Sequence, residues 1–207
     1  MARYTGPKLR MERREGVNLS LKGKRGISDK HPFKRGKNYP PGQHGSKGRR
    51  RMTDYALHLR EHQKAKRIYG VMEKQFRRYY VQASKTKGQT GLTLLRLLET
   101  RLDNVVYRLG FASTRAQARQ FVTHGHVQIN GKRVDIPSYT VKPGETITLV
   151  DKLAANALIE ENIALQVATV QWLTRKDNRT GVVDAIPQRT DIDDTINEAF
   201  IVEFYAR

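Results

Sequence analysis

One short segment of the sequence has the residue types of a metalloenzyme site. His58, Glu61 and His62 form an H-x-x-E-H pattern, which in one class of zinc protease places two imidazoles on the same face of a helix. Arg60 lies inside the pattern, three further cations follow within the next five residues, and no third ligand is evident. Because a cation-rich helix disfavours a bound dication, the segment predicts neither catalysis nor a metal site.

A second set of residues has the types that hold phosphate. Ser113 and Thr114 are typical of a helix start, and Gln117 completes a capping-box pattern with Thr114. Arg115 and Arg119 lie four residues apart, so we expect both on the outer face of that helix. The first amides of a helix are free and its dipole is positive there, so this helix start predicts a phosphate site. A merely solvated charged face is the alternative.

The composition favours a polyanionic partner. The chain has 207 residues, 39 Lys and Arg against 20 Asp and Glu, a net charge of +19 and no cysteine. Disulfides, thiolate zinc sites, iron–sulfur clusters and cysteine nucleophiles are thereby excluded. No apolar run reaches the roughly 18 residues of a membrane span. Anionic membranes and nucleic acids remain as partners. A membrane-binding helix would combine a basic face with Trp, Phe or Leu on the other face. The single tryptophan, Trp172, lies far from the basic end, so nucleic acid is favoured.

The positive charge is concentrated towards the N-terminus. The net charge is +13 over residues 1–52, +7 over 53–98, +3 over 99–150 and −4 over 151–207. Residues 1–52 are interrupted by Gly and Pro and predict a basic extended arm that cannot fold alone. The arm is either a solvated tail or an extension that becomes ordered on RNA, with aromatic rings offering stacking surfaces. The acidic end is expected to pack within a domain or against a basic protein neighbour.

The remaining patterns predict an α+β protein. Helical periodicity is found at 53–69, 72–85, from 92, at 98–109, at 114–124 and up to about 163. Strand-like alternation is found at 127–129, 146–150, 167–173, 181–186 and 197–207. Asn130-Gly131 predicts a tight hairpin. Two short helices followed by a small, mostly antiparallel sheet therefore form a module after a mainly helical domain. The histidines of the H-x-x-E-H segment are expected to face RNA or solvent.

Several ordered motifs in this module match a known family. They are Arg101–Phe111, Ser113–Gln120, His124–Val127 and Asn130–Val134. These segments closely resemble the S-four RNA-binding domain. Arg3-Tyr4 with Gly6-Pro7, Tyr39–Gly45 and Val202–Arg207 extend the resemblance over nearly the whole chain, to the small-subunit ribosomal protein S-four family of bacteria and organelles.

The resemblance implies a domain organisation and a role. It implies a basic arm at 1–52, a helical domain at 53–97 completed by 187–207, and an inserted module at 98–186 that contains the S-four domain at about 99–160. It implies a primary binder of the five-prime domain of small-subunit ribosomal RNA that nucleates assembly of the body. It also implies contacts with ribosomal protein S-five, bearing on translational accuracy, and with other small-subunit proteins. The expected location is the ribosome of the cytoplasm or an organelle, beside the channel that admits messenger RNA.

Three alternatives to a structural role remain open. One is an RNA-binding translational repressor, since some family members repress their own messenger. Another is an RNA-modifying enzyme, because pseudouridine synthases and tyrosyl-tRNA synthetases carry a similar module. The flanks here are short for a catalytic domain, which usually needs well over about 100 contiguous residues. The third, a DNA-binding helix-turn-helix regulator, usually dimerises and does not follow its helices with a sheet.

The predicted RNA contacts are basic, aromatic or capping residues in all three segments. In the arm they are Arg3, Tyr4, Lys8, Arg10, Arg13, Arg14, Lys22, Lys24, Arg25, Lys34, Arg35, Tyr39, His44, Arg49, Arg50 and Arg51. In the helical domain they are Arg60, Lys64 and Arg67, which share one helix face. In the module they are Arg101, Arg108, Thr114, Arg115, Gln117, Arg119, His124, His126, Asn130, Lys132 and Arg133.

The arm departs from the family at one set of positions. Many members carry four cysteines there that bind zinc, whereas this sequence has Leu9, Glu12, Gly26 and His31. These residues do not supply the four ligands of a tetrahedral zinc site. We therefore predict no metal and no cofactor, and expect RNA contacts and local packing to hold the arm.

Overall fold

A computed structural model describes residues 3–47, 51–154, 156–165 and 170–206. The helices of these residues are α1 (Lys8–Glu15), α2 (Lys24–Ile27), α3 (Asp54–Tyr69), α4 (Glu73–Lys85), α5 (Thr90–Glu99), α6 (Leu102–Arg108), α7 (Arg115–Thr123), α8 (Asp151–Ala154), α9 (Ala157–Leu165) and α10 (Glu198–Ala206). The strands are β1 (Val127–Ile129), β2 (Lys132–Arg133), β3 (Thr146–Leu149), β4 (Leu173–Arg175) and β5 (Thr180–Val183). Short 3-10 turns lie at Gly45–Lys47 and Arg189–Asp191. The α+β class predicted from the sequence is confirmed.

The chain divides into two compact units. The first comprises residues 1–91 and 194–207, and the second comprises residues 92–193. The boundaries expected from the family resemblance are 97/98 and 186/187. The basic N-terminal segment belongs to the first unit together with α3, α4 and α10. The second unit is thus an insertion within the first.

The first unit is built around α3. Thr53 caps its start, because its hydroxyl accepts a hydrogen bond from the Ala56 amide at 3.3 Å, and Gly70 ends it in a left-handed conformation with φ of +63°. Ile68 of α3, Phe76 of α4 and Ile201 of α10 are fully or almost fully buried. The helices predicted at 53–69 and 72–85 are confirmed.

The strand-like interpretation of residues 197–207 is wrong, because α10 occupies Glu198–Ala206. Asn197 favours the helix, since its side-chain oxygen accepts a hydrogen bond from the Ala199 amide at 3.1 Å. Phe200 and Phe204 lie one helical turn apart and both contact α3: the Phe200 ring lies 5.1 Å from His58, and the Phe204 ring stacks on His62. Packing against α3 decides the conformation of this short apolar segment.

The N-terminal segment is less extended than its composition predicts. Its α1 packs against α3, and the Glu15 carboxylate, buried between the two helices, forms ion pairs with Arg60 and Arg67. Glu12, also buried, is hydrogen-bonded to His31 at 2.9 Å and to the Leu21 amide at 3.0 Å. Polar contacts of this kind order a segment that has too few apolar side chains to form a core.

The second unit combines α6 and α7 with a five-stranded sheet. The strand order is β2-β1-β3-β5-β4, and every neighbouring pair is antiparallel. The predicted hairpin is confirmed: β1 and β2 are joined by Asn130 and Gly131, whose φ angles are +49° and +78°. Leu102, Val106, Val122 and other buried apolar residues form its core.

The later strands start and end differently from their predicted positions. Residues 170–172 precede β4 rather than forming part of it, and β5 ends at Val183, three residues before the predicted end. Residues 167–169 of the predicted strand lie outside the described residues. Across the described ranges, no helix combines the length and the apolar character that crossing a membrane requires.

Candidate nucleic-acid interface

The structure sorts the predicted RNA contacts by exposure. The exposed ones are Arg3, Tyr4, Arg10, Arg14, Lys22, Lys24, Arg25, Lys34, Arg35, His44, Arg51, His124, Asn130, Lys132 and Arg133. The half-buried ones are Lys8, Arg13, Tyr39, Arg60, Lys64, Arg67, Arg108, Thr114, Arg115, Gln117 and His126. Arg101 and Arg119 are buried, and Arg49 and Arg50 lie outside the described residues. The exposed contacts occur in both units.

The prediction that Arg119 lies on the outer face of its helix is wrong. Its side chain is 8% exposed, and its Nη1 lies 3.4 Å from an Asp103 oxygen. Arg101 is wholly buried and binds both oxygens of the same carboxylate, at 3.0 and 2.6 Å. These two arginines therefore stabilise the junction of α6 and α7 and do not offer a surface to RNA. A buried carboxylate without a counter-ion is strongly destabilising, so both guanidinium groups lie beside Asp103 in the interior of the module.

A polar network also holds two neighbouring arginines. Arg108 donates to both oxygens of buried Glu99, at 3.0 and 2.7 Å. Asn104 donates to Glu99 at 2.7 Å and accepts from Arg115 at 2.7 Å. The Arg115 guanidinium lies 4.5 Å from the centre of the Tyr107 ring. Arg115 is half-exposed at the start of α7, and its contacts with Asn104 and Tyr107 fix the orientation of its side chain.

The start of α7 is capped by its own residues. The Thr114 hydroxyl accepts from the Gln117 amide at 3.2 Å, and the Gln117 side chain accepts from the Ser113 amide at 2.8 Å. The predicted cap is confirmed, although the return bond goes to Ser113 rather than Thr114. One of the free amides of the helix start, that of Gln117, is thus already used, which weakens the phosphate-site hypothesis there.

An exposed basic surface lies instead at the other end of α7. The Arg133 side chain covers Gly125, where a methyl group would overlap its guanidinium, and its Nη2 donates to the His124 carbonyl at 3.4 Å. The cation thereby lies at the helix C-terminus, where the dipole favours positive charge. Lys132 on the same hairpin is exposed. The hairpin and the end of α7 form one surface, which we call the hairpin surface and define by His124, Lys132 and Arg133.

The cations of α3 are largely occupied by protein contacts. Arg60 and Arg67 pair with Glu15, and their side chains are 28% and 20% exposed. Lys64 pairs with Glu61 and is 12% exposed. Burial raises the pKa of Glu15, an effect that the charges of Arg67 and Arg60 partly offset. Burial also lowers the pKa of Arg67. The three cations predicted to contact RNA are therefore already bound within the first unit, two by Glu15 of α1 and one by Glu61 and the Thr195 carbonyl.

The histidines of the H-x-x-E-H segment do not face RNA or solvent, so that expectation is wrong. His58 Nε2 lies 2.9 Å from a Glu203 oxygen, and His62 Nε2 lies 2.9 Å from the Tyr205 hydroxyl. The His62 ring stacks on Phe204 at 4.5 Å. Burial lowers the pKa of His62 to about 4, so this imidazole is neutral at pH 7. Within the described ranges, no three metal-ligating side chains cluster.

The positions that carry cysteines in many S-four proteins have a different arrangement here. Glu12 and His31 form a buried hydrogen-bonded pair, Gly26 is buried and Leu9 is half-buried. One carboxylate and one imidazole supply two ligands, whereas structural zinc takes four. The residues present do not fit a structural zinc ion, and the pair instead links α1 to the turn after α2.

Several exposed cations were absent from the predicted set. They are Lys30, Lys37 and Lys47 in the N-terminal segment and Lys74, Arg77 and Arg78 in α4. The α4 residues recur at intervals of three and four, a spacing that places them along one side of a helix. This spacing is visible in the sequence and could have identified them. Lys8 shows the crowding of charge: partial burial and the charges of Lys22 and Arg3 lower its pKa. A bound polyanion would relieve this repulsion.

Comparison with known proteins gives consistent matches. A model described as the ribosomal protein S4/S9 N-terminal domain matches residues 3–99, and the S4 domain model matches residues 100–147. The chain is 54% identical over 212 residues to small ribosomal subunit protein uS4 of Dictyoglomus turgidum, covering all of both chains. It is 51% identical to uS4 of Thermoanaerobacter sp. over 208 residues and of Thermus thermophilus over 210 residues, again over all of both chains. With full-length identity at this level, the chain belongs to the small ribosomal subunit protein uS4 family.

Proposed function

We propose that the chain is a structural, non-catalytic component of the small ribosomal subunit that binds small-subunit ribosomal RNA. The observation that carries this proposal is the surplus of exposed cations in both units of a chain with uS4 relatives. The side chains of Arg10, Arg14, Arg25 and Arg35 form no ion pair or hydrogen bond with other described residues. Unpaired exposed cations are the groups that displace counterions from a nucleic-acid backbone.

The distribution of these cations favours irregular RNA over a DNA duplex. In the first unit they lie on short helices, on turns and along one side of α4, and in the second they include the cations of the hairpin surface. Cations spread over several elements in this way differ from the single recognition helix that enters a DNA major groove. A folded RNA junction offers phosphates at several angles, and a protein of two units can contact several of them.

The finer role is also a proposal. It comprises primary binding to the five-prime domain, nucleation of body assembly, a position beside the channel that admits messenger RNA, and a contact with ribosomal protein S-five that contributes to accuracy. The S-four family resemblance supports it. The net charge of −4 over residues 151–207 supports a basic protein neighbour. The proposed location is the ribosome of the cytoplasm or an organelle.

A salt titration tests the RNA contact. The double variant Arg25→Gln/Arg35→Gln removes two exposed cations of the N-terminal segment, and Lys142→Gln/Lys176→Gln removes two from the second unit. If both arginines contact phosphates, the log–log slope of affinity against salt for a five-prime-domain RNA falls by about 1.4–1.8 in the first variant. The second variant tests the second unit in the same way, and a fall in its slope supports phosphate contacts by that unit. Equal slopes in the first variant and the wild type contradict contact by the N-terminal segment.

A competition experiment tests specificity. The full chain is titrated with the five-prime domain, an unrelated RNA of equal length and a DNA duplex, all at one salt concentration. We expect the five-prime domain to bind at least tenfold more tightly than either competitor. Equal affinity for all three would reduce the proposal to general polyanion binding.

A further inference from the structure

A groove of the first unit is not used by the function described so far. It lies between α3 and the loop at 40–45, which contains the Pro-Pro-Gly-Gln-His-Gly motif. Its volume is about 760 Å³. Cavities of roughly 300–1,000 Å³ are typical of small-molecule sites, so the groove can hold one nucleotide.

The wall of the groove formed by this loop is fixed by the rest of the N-terminal segment. Arg13 donates to the carbonyls of Tyr39 and Pro40 at 3.1 and 3.3 Å, and its guanidinium lies 4.7 Å from the centre of the Tyr39 ring. A methyl group at Gly45 would overlap the Pro40 carbonyl oxygen, so the loop closes only with glycine there. A wall held in this way exists before any ligand binds, which reduces the entropy cost of binding.

The lining leaves apolar side chains exposed. Met52 and Leu57 line the groove and are 43% and 36% exposed, and Ala56 and Phe200 also line it. These residues belong to the first unit, with Phe200 on α10 and Leu57 on α3. A flat apolar ligand would cover them, and every nucleobase has such a face.

The charge left in the groove is positive. Its two lining carboxylates are already bound, Glu15 by Arg60 and Arg67, and Glu61 by Lys64. Arg14 also lines the groove, and its exposed side chain has no ion pair or hydrogen bond with other described residues. A phosphodiester group attached to a base in the groove would therefore meet an available cation.

We propose that this groove binds one unpaired nucleotide of RNA, with the base against the apolar lining and a phosphate at Arg14. The proposal rests on the RNA binding proposed above and names the form of RNA that this site takes. A base within a duplex is stacked on both faces, so only a bulged or looped base can enter. The exposed apolar lining also fits a peptide, but the loop that forms one wall belongs to a segment, residues 1–52, with a net charge of +13, which favours RNA.

The first experiment compares two RNA hairpins that differ by one bulged nucleotide. At fixed salt, the full wild-type chain is expected to prefer the bulged hairpin by about tenfold, the scale of one stacked base. Ala56→Phe fills the groove without changing charge, and Gln82→Phe places the same ring on the exposed side of α4 as a control. We expect the preference to vanish in Ala56→Phe and to persist in Gln82→Phe, with the same salt slope in both.

A second measurement uses the wild-type chain and does not depend on the folding of a variant. A 4-thiouridine at the bulge is cross-linked by light, and the attached peptide is identified. Attachment to a residue that lines the groove, within residues 40–45 or 52–64 or at Arg14 or Phe200, supports the groove, and attachment elsewhere overturns it. In the first experiment, equal affinity of the wild-type chain for the two hairpins also overturns the proposal, and this is the result expected if the groove binds a peptide. Loss of the preference in both variants overturns it as well. Absence of any RNA binding would instead refute the proposed function.

Discussion

The carboxylate of Asp103 provides the strongest test of the buried arginine pair, through the variant Asp103→Asn. This change removes the anion that Arg101 binds at 2.6 and 3.0 Å and that Arg119 approaches at 3.4 Å. Removing one partner of a buried ion pair costs about 3–5 kcal/mol, because charge remains buried without its counter-ion. We expect Asp103→Asn to lie at the upper end of that range, since two guanidinium groups lose the same anion.

The variant Arg119→Met is expected to cost much less. Arg101 still binds both oxygens of Asp103 in this variant, so the carboxylate keeps its bidentate partner while the 3.4 Å contact of Arg119 is lost. Net losses of about 1.5–3 kcal/mol are typical of one hydrogen bond to a charged group. Methionine retains most of the apolar volume of the arginine stem. The predicted order of destabilisation is therefore Asp103→Asn above Arg119→Met.

The assay is urea unfolding of the full chain followed by tryptophan fluorescence. Trp172 is the only tryptophan of the sequence and is 2% exposed in the core of the second unit, so it reports on the unit that contains both variants. RNA affinity is measured on the folded proteins. If Arg119→Met destabilises as much as Asp103→Asn, the ion-pair reasoning is refuted. If the RNA affinity of folded Arg119→Met falls tenfold, Arg119 contacts RNA and its assignment to the module interior is refuted.

Three further predictions concern the first unit. Because burial lowers the pKa of His62 to about 4, the unfolded chain takes up its proton first, and the stability of this unit falls by up to roughly 3 kcal/mol between about pH 6.5 and pH 4. His62→Phe should show less of this fall in unfolding experiments at both pH values. Gly45→Ala should disrupt the 40–45 loop and weaken RNA binding, whereas Gly36→Ala, with φ of +71° but open space, should cost only about 1 kcal/mol. Chelator treatment should leave the melting temperature and RNA affinity unchanged, while Glu12→Ala should lower both by removing the partner of buried His31.

Local signals predicted much of the architecture. Thr53 and Thr114 identify helix starts, and Asn130-Gly131 identifies a hairpin, because each acts on the backbone within three residues of itself. The conformation of residues 198–206 was not predictable in this way. That segment is apolar on nearly every side, so its periodicity does not distinguish strand from helix, and its conformation depends on α3.

The candidate interface was harder to predict because its charges differ in tertiary surroundings. Arg115 and Arg119 are four residues apart on one helix, yet the first is half-exposed and the second is buried. The difference arises from Asp103 on the adjacent helix. A signal existed, since Asp103 lies between Leu102 and Val105 in a short helix with several apolar residues, and an acid buried in such a helix is almost always paired with a cation. The Glu12–His31 pair offers no comparable signal because 19 residues separate its members.

The position of α10 in the chain has a consequence for synthesis. Tyr205 bonds His62 across 143 residues, and Phe204 stacks on the same imidazole. Chains are made from the N-terminus, and domains fold as units while they emerge. The second unit, residues 92–193, has all its elements before α10 is translated. In the first unit, the side of α3 that contacts α10 stays uncovered until that helix is made, so the part of the protein that begins first is completed last. A nascent chain halted before residue 198 would carry a folded insertion within an incomplete host.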